Sequence, residues 1–255
     1  MKLIDSHAHM DNEAFDADRE ELFEKIGCEM DFIVNIGYDL ESSRKGVEYA
    51  HKYDFVYATV GFHPDEIGGY SDEAEKELEE LAKDPKVLAI GEIGLDYHWM
   101  THSKEKQAEM FRKQLELAKR TGKPIVIHSR EAMEDTLKIL NEYPDIKGIF
   151  HCYPGSAETA KTLLDRFYLG IGGVLTFKNA KKLVEVVKNV PLDRIILETD
   201  CPYMTPAPFR GTRNEPTYVK YVAEKIAELK GVDFEEVAKA TNRNTRKVYR
   251  MSEEE

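Results

Sequence analysis

Short apolar runs alternate with longer stretches that are polar on one face, from one end of the chain to the other. The runs are Leu3–His7, Phe32–Ile36, Val56–Gly61, Val87–Gly91, Ile125–His128, Gly148–His151, Tyr168–Gly172 and Ile195–Thr199. Each is nearly continuous in hydrophobicity, the pattern of a parallel strand buried on both faces. The stretches between them predict helices over Asp18–Ile26, Glu41–Tyr53, Asp72–Lys83, Lys104–Arg120, Glu131–Glu142, Ala157–Phe167 and Ala180–Asn189, with an eighth at Pro216–Leu229. Eight strand–helix units predict an α/β fold: a (β/α)8 TIM barrel with a closed parallel sheet, one domain over residues 1–255. A doubly wound open sheet usually has fewer strands and often a glycine-rich first turn, and no GxGxxG follows the first run. Asp233–Tyr249 predicts an additional C-terminal helix closing one end. Tyr203–Glu215, rich in Pro and Gly, is the longest loop and follows the last strand, where a binding loop is expected.

Composition narrows the picture. The chain has 255 residues, enough for one large α/β domain, and 42% of them are hydrophobic. No apolar run approaches the roughly 18 residues of a membrane span. The N-terminus MKLIDSHAHM lacks the apolar stretch of a secretory signal, so the expected location is the cytoplasm and no membrane partner is expected. Cys28, Cys152 and Cys201 form no CxxC pair and are expected to be small buried hydrophobes in a reducing compartment. The formal charge of −12 argues against holding nucleic acid by broad electrostatic attraction. It leaves room for an enzyme that engages phosphate through bound metal.

The candidate chemistry lies where the strands stop. His7 and His9 end the first run, Glu92 ends VLAIGE, His128 ends PIVIH, His151 ends GIFH and Asp200 ends RIILETD. Side chains two apart on a strand share a face, so His7 and His9 can both point inward. The C-terminal ends of barrel strands form one ring, and these six side chains from five strands converge on it. Two carboxylates and four imidazoles facing one cavity are costly without a cation. They exceed what one tetrahedral ion needs, so two divalent ions bridged by Glu92 account for them. The expected partition gives one ion His7, His9, Glu92 and Asp200, and the other Glu92, His128 and His151. Nitrogen and oxygen donors without thiolate suit Zn, Mn or Mg. Alternation is expected to turn Cys152 and Cys201 away from the cavity.

At these residues the sequence resembles the TatD family of metal-dependent deoxyribonucleases, within the amidohydrolase-like barrels. The matching motifs are DSHAH at Asp5–His9, GFHP at Gly61–Pro64, GEIGLDY at Gly91–Tyr97, IVIHSR at Ile125–Arg130, FHCYPG at Phe150–Gly155, ETDCPY at Glu198–Tyr203 and RGTRNEP at Arg210–Pro216. The closing VAKATNRNTRKVY is similar to the family's C-terminal helix. The resemblance implies a TIM barrel, two divalent ions and hydrolysis of phosphodiester bonds in DNA, single-stranded or at strand ends. By motif it assigns metal binding to His7, His9, Glu92, His128, His151 and Asp200. Glu92 occupies the place where many related barrels carry a carbamylated lysine.

The expected reaction uses a water activated by both ions, with Asp200 binding metal and accepting a proton, and Glu92 bridging. Two divalent ions against ionised Glu92 and Asp200 give the site a local charge of about +2, which would attract phosphate. His63, at a strand end, is a candidate donor to a phosphate oxygen. Arg210 and Arg213 in the long loop are candidate phosphate clamps. Tyr97 and Trp99, after Glu92, are candidate stacking groups for a base, and His51, His98 and His102 read as surface residues. Two other readings compete. The same two metals could hydrolyse a small amide, ester or phosphoester, since one barrel hosts many chemistries. A non-catalytic binding protein is expected to have lost a ligand, and none is lost here. The sequence leaves the oligomeric state open, and a monomer is compatible with it.

Overall fold

The computed structural model describes residues 1–251. Its strands are β1 (Asp5–Ala8), β2 (Ile33–Asn35), β3 (Val56–Val60), β4 (Val87–Asp96), β5 (Ile125–Arg130), β6 (Gly148–Phe150), β7 (Phe167–Ile171) and β8 (Ile195–Leu197). They pair in parallel in sequence order, as a barrel built from right-handed β–α–β crossovers requires. The helices are α1 (Arg19–Glu29), α2 (Leu40–Lys52), α3 (Asp72–Leu81), α4 (Lys104–Thr121), α5 (Met133–Asn141), α6 (Ala157–Leu163), α7 (Lys181–Asn189), α8 (Val219–Lys230) and α9 (Phe234–Val248). Four of them start on side-chain caps. Asp39 caps α2 and exchanges a reciprocal bond with Ser42, while Ser71, Ser103 and Ser156 cap α3, α4 and α6. Gly122 and Gly231 end α4 and α8 in the left-handed conformation that glycine adopts without strain. Among the described residues no helix is long and apolar enough to cross a membrane.

The ring meets itself between β1 and the segment just after β8. One parallel bridge joins Ala8 to Cys201. The backbone N–H of Asp200 donates to His7 O at 2.9 Å, and that of His9 to Cys201 O at 2.9 Å. The Asp5 carboxylate, fully buried, accepts from the Thr199 backbone N–H at 2.9 Å, the Thr199 hydroxyl at 2.5 Å and the His7 N–H at 3.1 Å.

The apolar residues form two layers. The outer layer lies between sheet and helices and includes Phe15, Phe23, Phe111, Phe150 and Phe167. The inner layer fills the lower barrel with Ile4, Phe32, Val34, Ile36, Leu88, Val126, Ile149, Tyr168 and Ile196. Val248 and Tyr249, at the end of α9, pack into that inner layer, and the Tyr249 hydroxyl donates to Ser6 O at 3.2 Å. The expected extra helix therefore does close one end, the floor.

Several boundaries differ from the sequence reading. Strand β4 continues past Gly91 to Asp96, because it stays paired with β5 as far as the Asp96–Arg130 register and all ten of its residues are buried. The close pairing depends on Gly94: a Cβ there would stand 2.0 Å from His128 O. The helix expected over Ala157–Phe167 ends at Leu163, and the chain enters β7 at Phe167. Pro216–Tyr218 forms a single 3-10 turn before α8 begins at Val219.

Candidate metal centre

Ile4, just before β1, and Ser6 within it have the parity of the inner layer, yet His7 and His9 also face the cavity. An extra residue makes this possible: Asp5 pairs with Ile33 but Ala8 with Asn35, so β1 spends three steps against two of β2. A similar extra step in β4 lies between Ile90 and Ile93 and contains Glu92. Such bulges re-aim side chains beside functional sites. On β5, β6 and after β8, plain alternation suffices, carrying Val126 to His128, Ile149 to His151 and Ile196 to Asp200. Asp200 and Cys152 both take positive φ, +58° and +43°, a strained backbone that non-glycine residues rarely adopt.

All six expected side chains meet in one cluster. His9 Nε2 lies 3.3 Å and His7 Nε2 3.6 Å from Asp200 Oδ1. Glu92 reaches three imidazoles: His128 Nδ1 at 2.8 Å, His7 Nε2 at 3.4 Å and His151 Nε2 at 3.8 Å. His151 Nε2 lies 3.7 Å from Asp200 Oδ1, and its ring stacks on that of His7 with centroids 3.5 Å apart. His63 joins them, its ring centroid 4.3 Å from that of His128.

Two further carboxylates were missed by the sequence reading. Glu198 is completely buried; its Oε2 lies 3.2 Å from His151 Nδ1, and its Oε1 accepts from the Cys152 N–H at 2.6 Å. Asp96 Oδ2 lies 2.9 Å from His128 Nε2, while Oδ1 accepts from the His98 and Trp99 N–H groups. Each carboxylate thus grips the outer nitrogen of an imidazole whose other nitrogen faces the cluster, the arrangement that orients metal-binding histidines. The signal for Glu198 was present, since it lies two residues before Asp200 and so on the same face. Asp96 lay beyond the expected end of its strand.

The donor set fits divalent cations. Donor atoms of His7, His9 and Asp200 lie within 4.8 Å of one another, as do those of His63, Glu92 and His128, and of His7, His151 and Glu198. In the second group His63 stands where the sequence partition had His151. His7 Nε2 and His9 Nε2 lie 3.3 Å apart and both face Asp200 Oδ1, a buried crowding of donor atoms that is costly in a site lacking a cation. Burial disfavours the His151 cation, but Glu198, Glu92 and Asp200 outweigh it and push the ring up to about 10. At His128 burial is likewise overcome by Asp96 and Glu92, which raise it to about 9. Protons and cations compete for these rings. Burial and neighbouring His128 drive His63 down to about 3, so its ring is neutral near pH 7. The Asp65 N–H donates to His63 Nδ1 at 3.2 Å, which leaves Nε2–H as the ring's donor.

The extra carboxylates correct the expected charge. Two divalent ions against Glu92, Asp96, Glu198 and Asp200 would leave the cluster near neutral rather than at +2. Other expected contacts also move. Arg213 pairs with Asp18 through two 2.6 Å bonds, and Arg210 lies over the Phe177 ring at 3.6 Å. Tyr97 donates to Asp135 at 2.8 Å and lies under Lys104. None of the three lines the cleft of about 700 Å³ above the cluster, which holds His63 and Trp99 and, unforeseen, Arg130, Tyr38 and Tyr203. Cys201 is buried outside the cleft, but Cys152 lines it and Cys28 is exposed, so the thiols do not share one fate. Alternation fails at Cys152 because its backbone has already left the strand. His51 and His98 are exposed and paired with Asp84 and Glu131.

Comparison with known proteins gives a consistent picture. A family model described as TatD related DNase matches residues 4–250. The chain is 48% identical to YabD of Bacillus subtilis, a metal-dependent hydrolase by name, over 98% of this chain and all of that one. It is 36% identical to YcfH of Escherichia coli, also named a metal-dependent hydrolase, over 98% of this chain and 97% of that one. The crystal structure of YJJV, a TatD homolog from Escherichia coli, superposes with a TM-score of 0.89 at 29% identity, covering 98% of both chains.

Proposed function

The chain belongs to the TatD-related DNase family of metal-dependent hydrolases, and from that premise we propose that it cleaves phosphodiester bonds in DNA, at single strands or strand ends, with two divalent cations. One observation carries this reading: a single carboxylate, Glu92, lies within 4 Å of three imidazoles at the ends of three different strands, so it could contact a cation held by either set of histidines. His7, His9 and Asp200 would complete one set, and His128 with His151 the other. Bound divalent cations supply Lewis-acid polarisation of a phosphoryl oxygen and make water acidic enough to ionise near neutral pH.

The chain's own groups do the rest. Burial works against an ionised Asp200, yet His151, His9 and His7 hold its carboxyl below the usual range, so it is an anion able to accept a proton from attacking water. Glu198 and Asp96 fix the rings of His151 and His128. The Nε2–H of His63 is placed to donate to a phosphate oxygen.

Metal analysis of the purified protein, followed by chelation and add-back of single metals, tests the reading. Labelled single-stranded DNA should be cleaved after add-back and left intact after chelation. Turnover of bis-p-nitrophenyl phosphate or a lactam panel, with no cleavage of DNA under any metal, would transfer the site to small substrates. Full activity in a doubly substituted Glu92→Ala, His128→Ala protein would remove the catalytic assignment.

A further inference from the structure

The mouth of the barrel is where the molecule leaves its large apolar side chains uncovered. Among the described residues five such side chains are exposed. Four of them follow β4 or β8 at the rim: Trp99, 64% exposed, with Met100, and Tyr203, 54% exposed, with Met204. Single exposed hydrophobes need no explanation, but a group around one cleft marks a binding surface. In an eight-stranded ring β4 and β8 lie opposite each other, so the two pairs flank the metal cluster from opposite sides.

Both rings are held in place. The Trp99 backbone N–H donates to Asp96 Oδ1 at 3.0 Å, which fixes the turn that carries the ring, and the His98 ring meets the indole edge-on at 4.8 Å. The Arg130 guanidinium sits 5.4 Å from the indole centroid. Across the cleft, the Asn12 amide donates to the Tyr203 hydroxyl at 3.0 Å. Rings already ordered lose little freedom when a ligand stacks on them. Among the described residues Arg130 is the sole Lys or Arg lining the cleft, whereas the arc after β3 carries Asp65 and Glu66. An anionic ligand is therefore drawn to the Arg130 side, with a flat apolar face waiting at each end.

We propose that Trp99, backed by Arg130, and Tyr203 are stacking platforms for two unpaired bases of one nucleic-acid strand, laid across the barrel mouth with a phosphate over the metal cluster between them. The proposal rests on the reading of the site as a nucleic-acid phosphodiesterase and adds how the strand is held. Nucleobases offer the flat faces that such platforms bind with little regard to sequence, and Arg130 supplies the cation that a near-neutral cluster lacks. Bases inside a duplex are stacked on their neighbours, so the platforms admit single strands and frayed ends and refuse duplex interiors.

Trp99 is the one tryptophan of the chain, so its fluorescence reports a single platform. The purified full-length protein is titrated with a phosphorothioate oligothymidylate, with an abasic oligomer of the same length and with the matching duplex. The oligothymidylate should change the emission, and the abasic strand and duplex should bind about tenfold or more weakly and leave it unchanged. By fluorescence anisotropy of a dye-labelled oligothymidylate, Trp99→Ala and Tyr203→Ala should each weaken binding about tenfold, and Trp99→Phe and Tyr203→Phe should recover most of it. Equal affinity and equal emission change for thymidylate and abasic strands would overturn the platforms, and cleavage of DNA alongside that result would leave the phosphodiesterase reading standing. Thymidylate-specific quenching without cleavage under any metal would keep the platforms and remove the hydrolytic reading. A dimer of this chain abolished by Trp99→Ala would assign the rim to a second copy and overturn the proposal.

Discussion

The two ends of the barrel use the same eight strands for opposite ends. At the floor, Ile4, Phe32, Val34, Leu88, Val126, Ile149 and Ile196 pack against Val248 and Tyr249 as an apolar cluster, with the Arg246 and Arg194 guanidiniums over the faces of the Phe32 and Tyr168 rings. A few residues further along those strands stand His7, Glu92, His128, His151 and Asp200, all in one polar cluster. The mouth also holds the irregular backbone. Of six non-glycine residues with positive φ among the described residues, Met100, Glu131, Cys152, Asp200 and Met204 lie after strand ends at the mouth, and Arg250 alone lies elsewhere. The difference teaches that strain and buried charge are tolerated at one end because the other end supplies the cohesion. It follows that the two ends should fail differently when altered.

The largest expected effect is at the mouth. Glu92→Gln should lower hydrolytic activity by on the order of a thousandfold in protein that is still folded at the assay temperature, as steady-state assays and thermal melts together would reveal. At the floor the pattern should invert: Ile196→Ala should destabilise the protein by about 3 kcal/mol with activity per folded molecule retained, measured by urea unfolding. If Ile196→Ala instead abolished turnover in fully folded protein, the division of labour would be wrong.

Smaller effects sharpen it. Glu198→Gln should weaken metal affinity about 10- to 100-fold in a competitive chelator titration, because the His151 ring loses its orienting anion. Unchanged affinity would reduce Glu198 to packing. His128 and His151 have folded values raised to about 9 and about 10. For a group raised on folding, the stabilising contribution is complete below the unfolded value near 6.5 and is lost as pH rises through the folded one. Chelated protein should therefore lose stability between about pH 7 and 10, and metal uptake in that window should release protons, which buffer-dependent calorimetry detects. Smallest of all, Tyr249→Phe should cost about 1 kcal/mol of stability, since only its bond to Ser6 O is lost.

The barrel was legible in the sequence because parallel strands buried on both faces leave continuous apolar runs, and the polar residue that ends each run at the mouth stands out against them. His128, His151 and Asp200 could be aimed by alternation alone. His7, His9 and Glu92 are aimed inward by bulges in β1 and β4, which no pattern of polarity announces. Asp96 was hidden because the expected strand stopped at Gly91, whereas Gly91 and Gly94 permit close pairing of β4 and β5 as far as Asp96. Arg210 and Arg213 pointed the wrong way because proximity along the chain says nothing of partners, and Asp18 and Phe177 hold them. Arg130 and Tyr203 were passed over for the opposite reason: only the folded rim brings them to the cleft.

The place where the ring closes on itself has its own consequence. Backbone pairing there is thin, a lone bridge with the Asp5 carboxylate reaching across to Thr199. His7 and His9 stand on one bank of that join and Asp200 on the other. A cation held by all three would rivet the first ten residues to a segment about 190 positions downstream, a cross-link over nearly the whole polypeptide. Cross-links that span long loops restrict the unfolded chain most, so the ion would serve as a fastener of the molecule as well as its reagent.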